Sequence, residues 1–75
     1  MTKLPRLSGK EVIKALSRTG FVIMRQKGSH VIMKKHISGG EIATVVPNHK
    51  EVDKGTLLEI IRQAKLTREE FMDLL

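Results

Sequence analysis

A chain of 75 residues makes one small domain, of a size that buries only about 60% of the surface its unfolded form exposes; a deep enclosed pocket is excluded, and any chemistry falls to a few side chains on a shallow face. The absence of cysteine rules out a disulfide framework and any Cys-based zinc or redox site. Fourteen Lys and Arg against eight Asp and Glu give a net charge of +6, which favours a polyanionic partner because Lys and Arg displace counterions from phosphates.

The opening residues MTKLPRLSGKE are basic and contain no continuous apolar stretch of the signal-peptide kind. No window approaches the roughly 18 to 20 apolar residues of a membrane span. The expectation is a soluble cytoplasmic protein with no membrane association. Ser8 and Glu11 have the S-x-x-E spacing of a capping box, with Leu7 and Val12 placed as its hydrophobic staple. A first helix therefore begins near Gly9. Val12, Ile13 and Leu16 recur at helical spacing with Ala15 beside them, while Lys10, Lys14 and Arg18 fall towards solvent. Gly20 supplies the stop.

FVIMRQ, HVIMKKH and EIATVV follow, separated by Gly28 and by ISGG and closed by Pro47. Such β-rich runs with short connections predict a three-stranded antiparallel meander. In the second strand His30, Ile32, Lys34 and His36 share one face, and Val31, Met33 and Lys35 the other. The first set is the more polar and is assigned to the open side of the sheet, with Val31 and Met33 under the helices. Met24 and Met33 read as core fillers. Asp53 is the expected cap of a second helix carrying Leu57, Leu58, Ile60 and Ile61, and Thr67 with Glu70 forms another capping box, with Leu66 and Phe71 as staple. The order α-β-β-β-α with a short extra C-terminal helix is an α+β fold, and residues 1–75 form a single domain.

The chemistry concentrates in KGSH, residues 27 to 30. A histidine beside a glycine turn takes or gives a proton near neutrality, and RNA cleavage needs little more, because the 2′-hydroxyl is an internal nucleophile. His30 is the candidate base or acid. Backbone amides around Gly28 and Ser29 allow close approach of a phosphate, and Arg25, Lys27, Lys34 or Lys35 would neutralise it. An isolated G-S-H is more often a hairpin turn with an exposed histidine, so KGSH alone does not carry a functional claim. His36 and His49 are further candidates for RNA contact or for a second proton-transfer group. His30 and His36, on one strand face, lie about 20 Å apart in a straight strand, too far to share a metal, and no metal or other cofactor is expected. Phe21 and Phe71 are the only aromatics, fewer than a base-stacking platform uses, so recognition by shape and phosphate contact is expected.

S-G-K-E-V-I-K-A-L, G-F at 20 and 21, R-Q-K-G-S-H from 25 to 30, V-P-N-H-K-E-V from 46 to 52 and G-T-L-L-E-I-I-R-Q-A from 55 to 64 together resemble the HicA toxin family of bacterial and archaeal toxin–antitoxin systems. The resemblance covers nearly the whole chain in order. It implies a fold similar to the double-stranded-RNA-binding domain, with helices against one face of a three-stranded sheet. It also implies a metal-independent endoribonuclease that cleaves mRNA and is neutralised by a HicB-type antitoxin. The family's catalytic histidine falls on His30, and Gly28 and Ser29 match its neighbours in the motif.

The leading expectation is thus an mRNA-cleaving toxin, with a non-catalytic RNA-binding module as the alternative. A DNA-binding role is disfavoured because the second helix, LLEIIRQA, is apolar rather than a basic recognition helix. A monomer or a weak homodimer paired through an exposed sheet edge fits the sequence equally.

Overall fold

The computed structural model describes residues 3–75. In chain order the elements are α1 (Gly9–Ser17), β1 (Val22–Lys27), β2 (His30–Ile37), β3 (Gly40–Pro47), α2 (Lys54–Gln63) and α3 (Arg68–Met72). The architecture is α+β, α-β-β-β-α with the short C-terminal helix added, as the sequence predicts.

The helix starts are set locally. Ser8 Oγ accepts from the Glu11 amide at 3.1 Å and the Glu11 carboxylate accepts from the Ser8 amide at 2.9 Å. Thr67 and Glu70 repeat the arrangement at α3, and Asp53 caps α2 by accepting from both the amide and the hydroxyl of Thr56. Each cap satisfies amides that no helical carbonyl can reach. α1 ends before Gly20, whose φ is 103°.

The sheet is a meander in the order β1-β2-β3, both pairings antiparallel. Two residues, Gly28 and Ser29, connect β1 to β2. Gly28 takes φ 59°, the positive value that the first central position of a type II′ hairpin turn demands and that glycine adopts without a steric penalty. Gln26 Nε2 donates to the Gly28 carbonyl at 3.0 Å and braces the turn.

Helices cover one face of the sheet. Val31, Met33, Thr44 and Val46 point into the core beneath Val12, Ala15 and Leu16 of α1 and Leu57, Ile60 and Ile61 of α2, with Phe21 and Phe71 closing it. Thr44 is the one buried polar residue among those described, and its hydroxyl donates to Gln63 Oε1 at 2.8 Å.

Met24 departs from its expected place. Met33 is fully buried, but Met24 is 55% exposed. The register of β1 slips between Ile23 and Arg25, so Met24 has no partner on β2. β1 is also an edge strand, and the helices pack over β3 at the opposite edge, so every residue of β1 is exposed.

Candidate active site

The site is built at one end of the sheet, where the Gly28-Ser29 turn meets the chain leaving β3. His30 opens β2 and sits opposite Lys27 on one side and Pro47 on the other. Directly opposed residues of antiparallel strands share a face. Lys27 and Arg25, which pair with His30 and Ile32, therefore stand on the open face with His30, and Lys34 lies further along the same face. Arg25, Lys27, Gly28, Ser29 and His30 are all exposed. A β-carbon at Gly28 would meet nothing within 4 Å, so the outer side of the turn is open to a ligand.

The remaining candidates divide by position. His36 also faces the open side, but at the far end of β2, where its Nδ1 lies 3.9 Å from Glu41 Oε2. Lys34 Nζ reaches Glu41 Oε1 at 3.2 Å. Lys35 is on the helix side; its ammonium donates to Thr19 Oγ1 at 3.3 Å and its stem runs past Gly20. The structure therefore groups Arg25 and Lys27 with His30 and separates Lys35 and His36 from it. Among the described residues, no group of three or more His, Asp or Glu side chains could hold a metal ion.

His49 joins the site from the other direction. Pro47 ends β3 because it has no amide hydrogen to continue the ladder, and the chain then turns beneath Ser29. The Asn48 amide donates to the Ser29 carbonyl at 2.6 Å. His49 Nε2 lies 3.3 Å from Ser29 Oγ. A third tie comes from α1, where the Gly9 amide donates to the His49 carbonyl at 2.9 Å.

Beside His49 runs a groove of about 310 Å³ lined by Ser8, Lys10, Asn48, His49 and Lys50. Lys10, Asn48 and Lys50 are members of this end of the molecule that sequence reasoning did not single out. The only local signal was a lysine following His49 in V-P-N-H-K; nothing in the sequence says that the first turn of α1 packs there.

A family model described as HicA toxin of bacterial toxin–antitoxin matches residues 9–66. The chain belongs to the HicA toxin family. The matched residues run from the first residue of α1 through β1, β2, β3 and α2, leaving residues 1–8 at one end and residues 67–75, with α3, at the other outside. No curated protein matches the chain. Membership in the HicA family implies pairing with an antitoxin. No helix among the described residues is long and apolar enough to cross a membrane.

Proposed function

We propose that this HicA-family protein is a metal-independent endoribonuclease that cleaves mRNA in the cytoplasm, with His30 as its general acid or base. The observation that carries the reading is the position of His30: first residue of β2, on the open face with Arg25, Lys27 and Lys34, beside a turn whose backbone is open to a ligand.

RNA brings its own nucleophile. A base takes the proton of the 2′-hydroxyl, the O2′–P bond forms as the P–O5′ bond breaks, and an acid protonates the departing O5′. The products are a 2′,3′-cyclic phosphate and a 5′-hydroxyl. Histidine performs either transfer near neutral pH, and a positioned group of this kind is worth about 10²–10⁴ in rate. Arg25 and Lys27 supply the positive charge that offsets the phosphorane's negative charge. Because the nucleophile is internal, no metal-bound hydroxide is required.

Both phenylalanines are buried, Phe21 at 2% and Phe71 at 0% exposure, and Tyr and Trp are absent, so bases have no platform of such rings to stack on. RNA is held through phosphates and shape. A HicB-type antitoxin silences such a site by covering the open face or by holding His30 away from RNA.

The test is incubation of the purified protein with labelled RNA in excess EDTA beside His30→Ala, with circular dichroism confirming that both are folded. Cleavage by the parent, reduced at least about 100-fold in the variant while RNA affinity is retained, is the expected result. Binding without cleavage by either protein replaces this reading with a non-catalytic RNA-binding module.

A further inference from the structure

Resting on the ribonuclease reading above, we propose that His49 is the second proton-transfer residue of the reaction, with Ser29 as the positioning residue that seats it. Cleavage through the 2′-hydroxyl moves two protons, one off O2′ and one onto O5′. One histidine that takes the first and a second that gives the other return the enzyme to its starting charge, with their protonation states exchanged. His30 fills one of these places and leaves the other open.

His36 lies at the far end of β2, turned to Glu41. His49 lies at the correct end, its ring against the residue that precedes His30.

Its placement is built rather than incidental. A histidine on an exposed loop of this length would ordinarily sample many orientations, yet the segment carrying His49 is tied on three sides. The Asn48 amide is held by the Ser29 carbonyl, the His49 carbonyl by the Gly9 amide, and the imidazole by Ser29 Oγ. Gly9 has no side chain at the point of contact, and a β-carbon there would come within 2.6 Å of the Asn48 Cα. The turn that carries His30 and the loop that carries His49 are consequently one unit. With Nε2 engaged by Ser29, Nδ1 is the nitrogen that exchanges a proton with substrate. Lys10 and Lys50 line the groove beside it, where the strand continuing past the scissile phosphate finds cations.

The deciding experiment uses an RNA oligonucleotide that the parent cuts at a mapped position, and the same oligonucleotide with the bridging 5′-oxygen at that position replaced by sulfur. A thiolate leaves without being protonated, so this substrate has no need of the acid. Single-turnover cleavage in excess EDTA is measured for the parent, His30→Ala and His49→Ala, and RNA binding is followed by fluorescence anisotropy. The expected result is a loss of about 100-fold or more for His49→Ala on ordinary RNA, with affinity within about threefold of the parent. On the sulfur substrate one of the two variants recovers and the other does not, which identifies the acid and the base. Ser29→Ala lowers kcat with KM unchanged, and Ser29→Thr restores it.

Cleavage of ordinary RNA by His49→Ala within about threefold of the parent overturns the proposal while leaving the role of His30 intact. So does failure of the sulfur substrate to rescue either variant. A parent that cuts no RNA, so that no position can be mapped, overturns the ribonuclease reading and this inference with it. Should His49→Ala prove unfolded, His49→Gln, which keeps a polar group at Ser29, carries the same comparison.

Discussion

Gly9 and His49 are joined backbone to backbone: the amide that begins α1 donates to the carbonyl of His49 at 2.9 Å. The approach is close enough that any side chain at position 9 would collide with the Pro47 carbonyl and the Asn48 Cα. Both are main-chain atoms, which cannot rotate away. Gly9→Ala is expected to destabilise the fold by about 1–3 kcal/mol, the usual cost of forcing an extra carbon into a packed site, despite its better helix propensity. Urea denaturation measures this, and a gain in stability would show that the loop gives way freely.

The two methionines that look alike in the sequence should behave differently. Met33→Ala removes a fully buried side chain and is expected to cost about 2–5 kcal/mol. Met24→Ala, at the bulged and exposed edge, is expected to fall within about 0.5 kcal/mol of the parent. Chemical unfolding of the pair checks the assignment of β1 as an edge strand lying outside the helices.

Lys65 takes φ 58°, the positive value at which α2 ends. A side chain in this left-handed conformation costs roughly 1 kcal/mol relative to glycine. Lys65→Gly is therefore expected to raise stability by about that amount, read as a higher thermal midpoint. A lower midpoint would mean that the lysine side chain contributes more than its backbone strain removes.

Stability should also fall in acid for identifiable reasons. The hydrogen bonds from the Thr56 hydroxyl and amide hold the Asp53 carboxyl below its ordinary value of 3.8, and the Arg62 hydrogen bond holds Glu59 below 4.5. A carboxylate whose folded-state pKa is depressed adds stability that is fully present above the unfolded value and is lost as pH falls through the folded one. The contribution of these two groups is thus intact at neutral pH and disappears below about pH 4. Asp53→Asn retains a capping oxygen but no longer titrates, so the double variant Asp53→Asn, Glu59→Gln should show a flatter acid limb in thermal melts between pH 2 and 5, an order-of-magnitude window set by the ordinary carboxylate range. An unchanged limb would place the acid sensitivity elsewhere.

RNA binding gives a separate check on the open face. Arg25 and Lys27 share the face with His30, whereas Lys35 is turned to Thr19 on the other side. Removing Arg25 or Lys27 is expected to reduce the slope of log affinity against log salt by about 0.7 each for a single-stranded RNA. Lys35→Ala should leave the slope unchanged. Equal effects from all three would mean that RNA also reaches the helix side.

Much of this molecule is determined within short windows of its sequence. Capping boxes act over three residues, so Ser8 with Glu11 and Thr67 with Glu70 announce their helices without reference to the rest of the chain. Alternation along β2 likewise separates the His30, Ile32, Lys34 face from the Val31, Met33 face, because side-chain direction in a strand has a period of two. Gly28, Ser29 and His30 stand out for the same reason: a hairpin turn and the residue after it are local objects.

What only the tertiary structure decided are relations between segments distant in the chain. Whether Met24 is covered depends on which edge of the sheet the helices reach, and what Lys35 meets on the Val31, Met33 face, the Thr19 hydroxyl, depends on the end of α1 lying beside it. His49 is the clearest case. It is an exposed loop histidine until the end of β3, the β1–β2 turn and the first turn of α1 come together, and the contacts that seat it, from Ser29 and from Gly9, come from residues 20 and 40 positions away. No periodicity or motif spacing encodes such a meeting, because it is the packing of the core that brings those backbones within hydrogen-bonding distance.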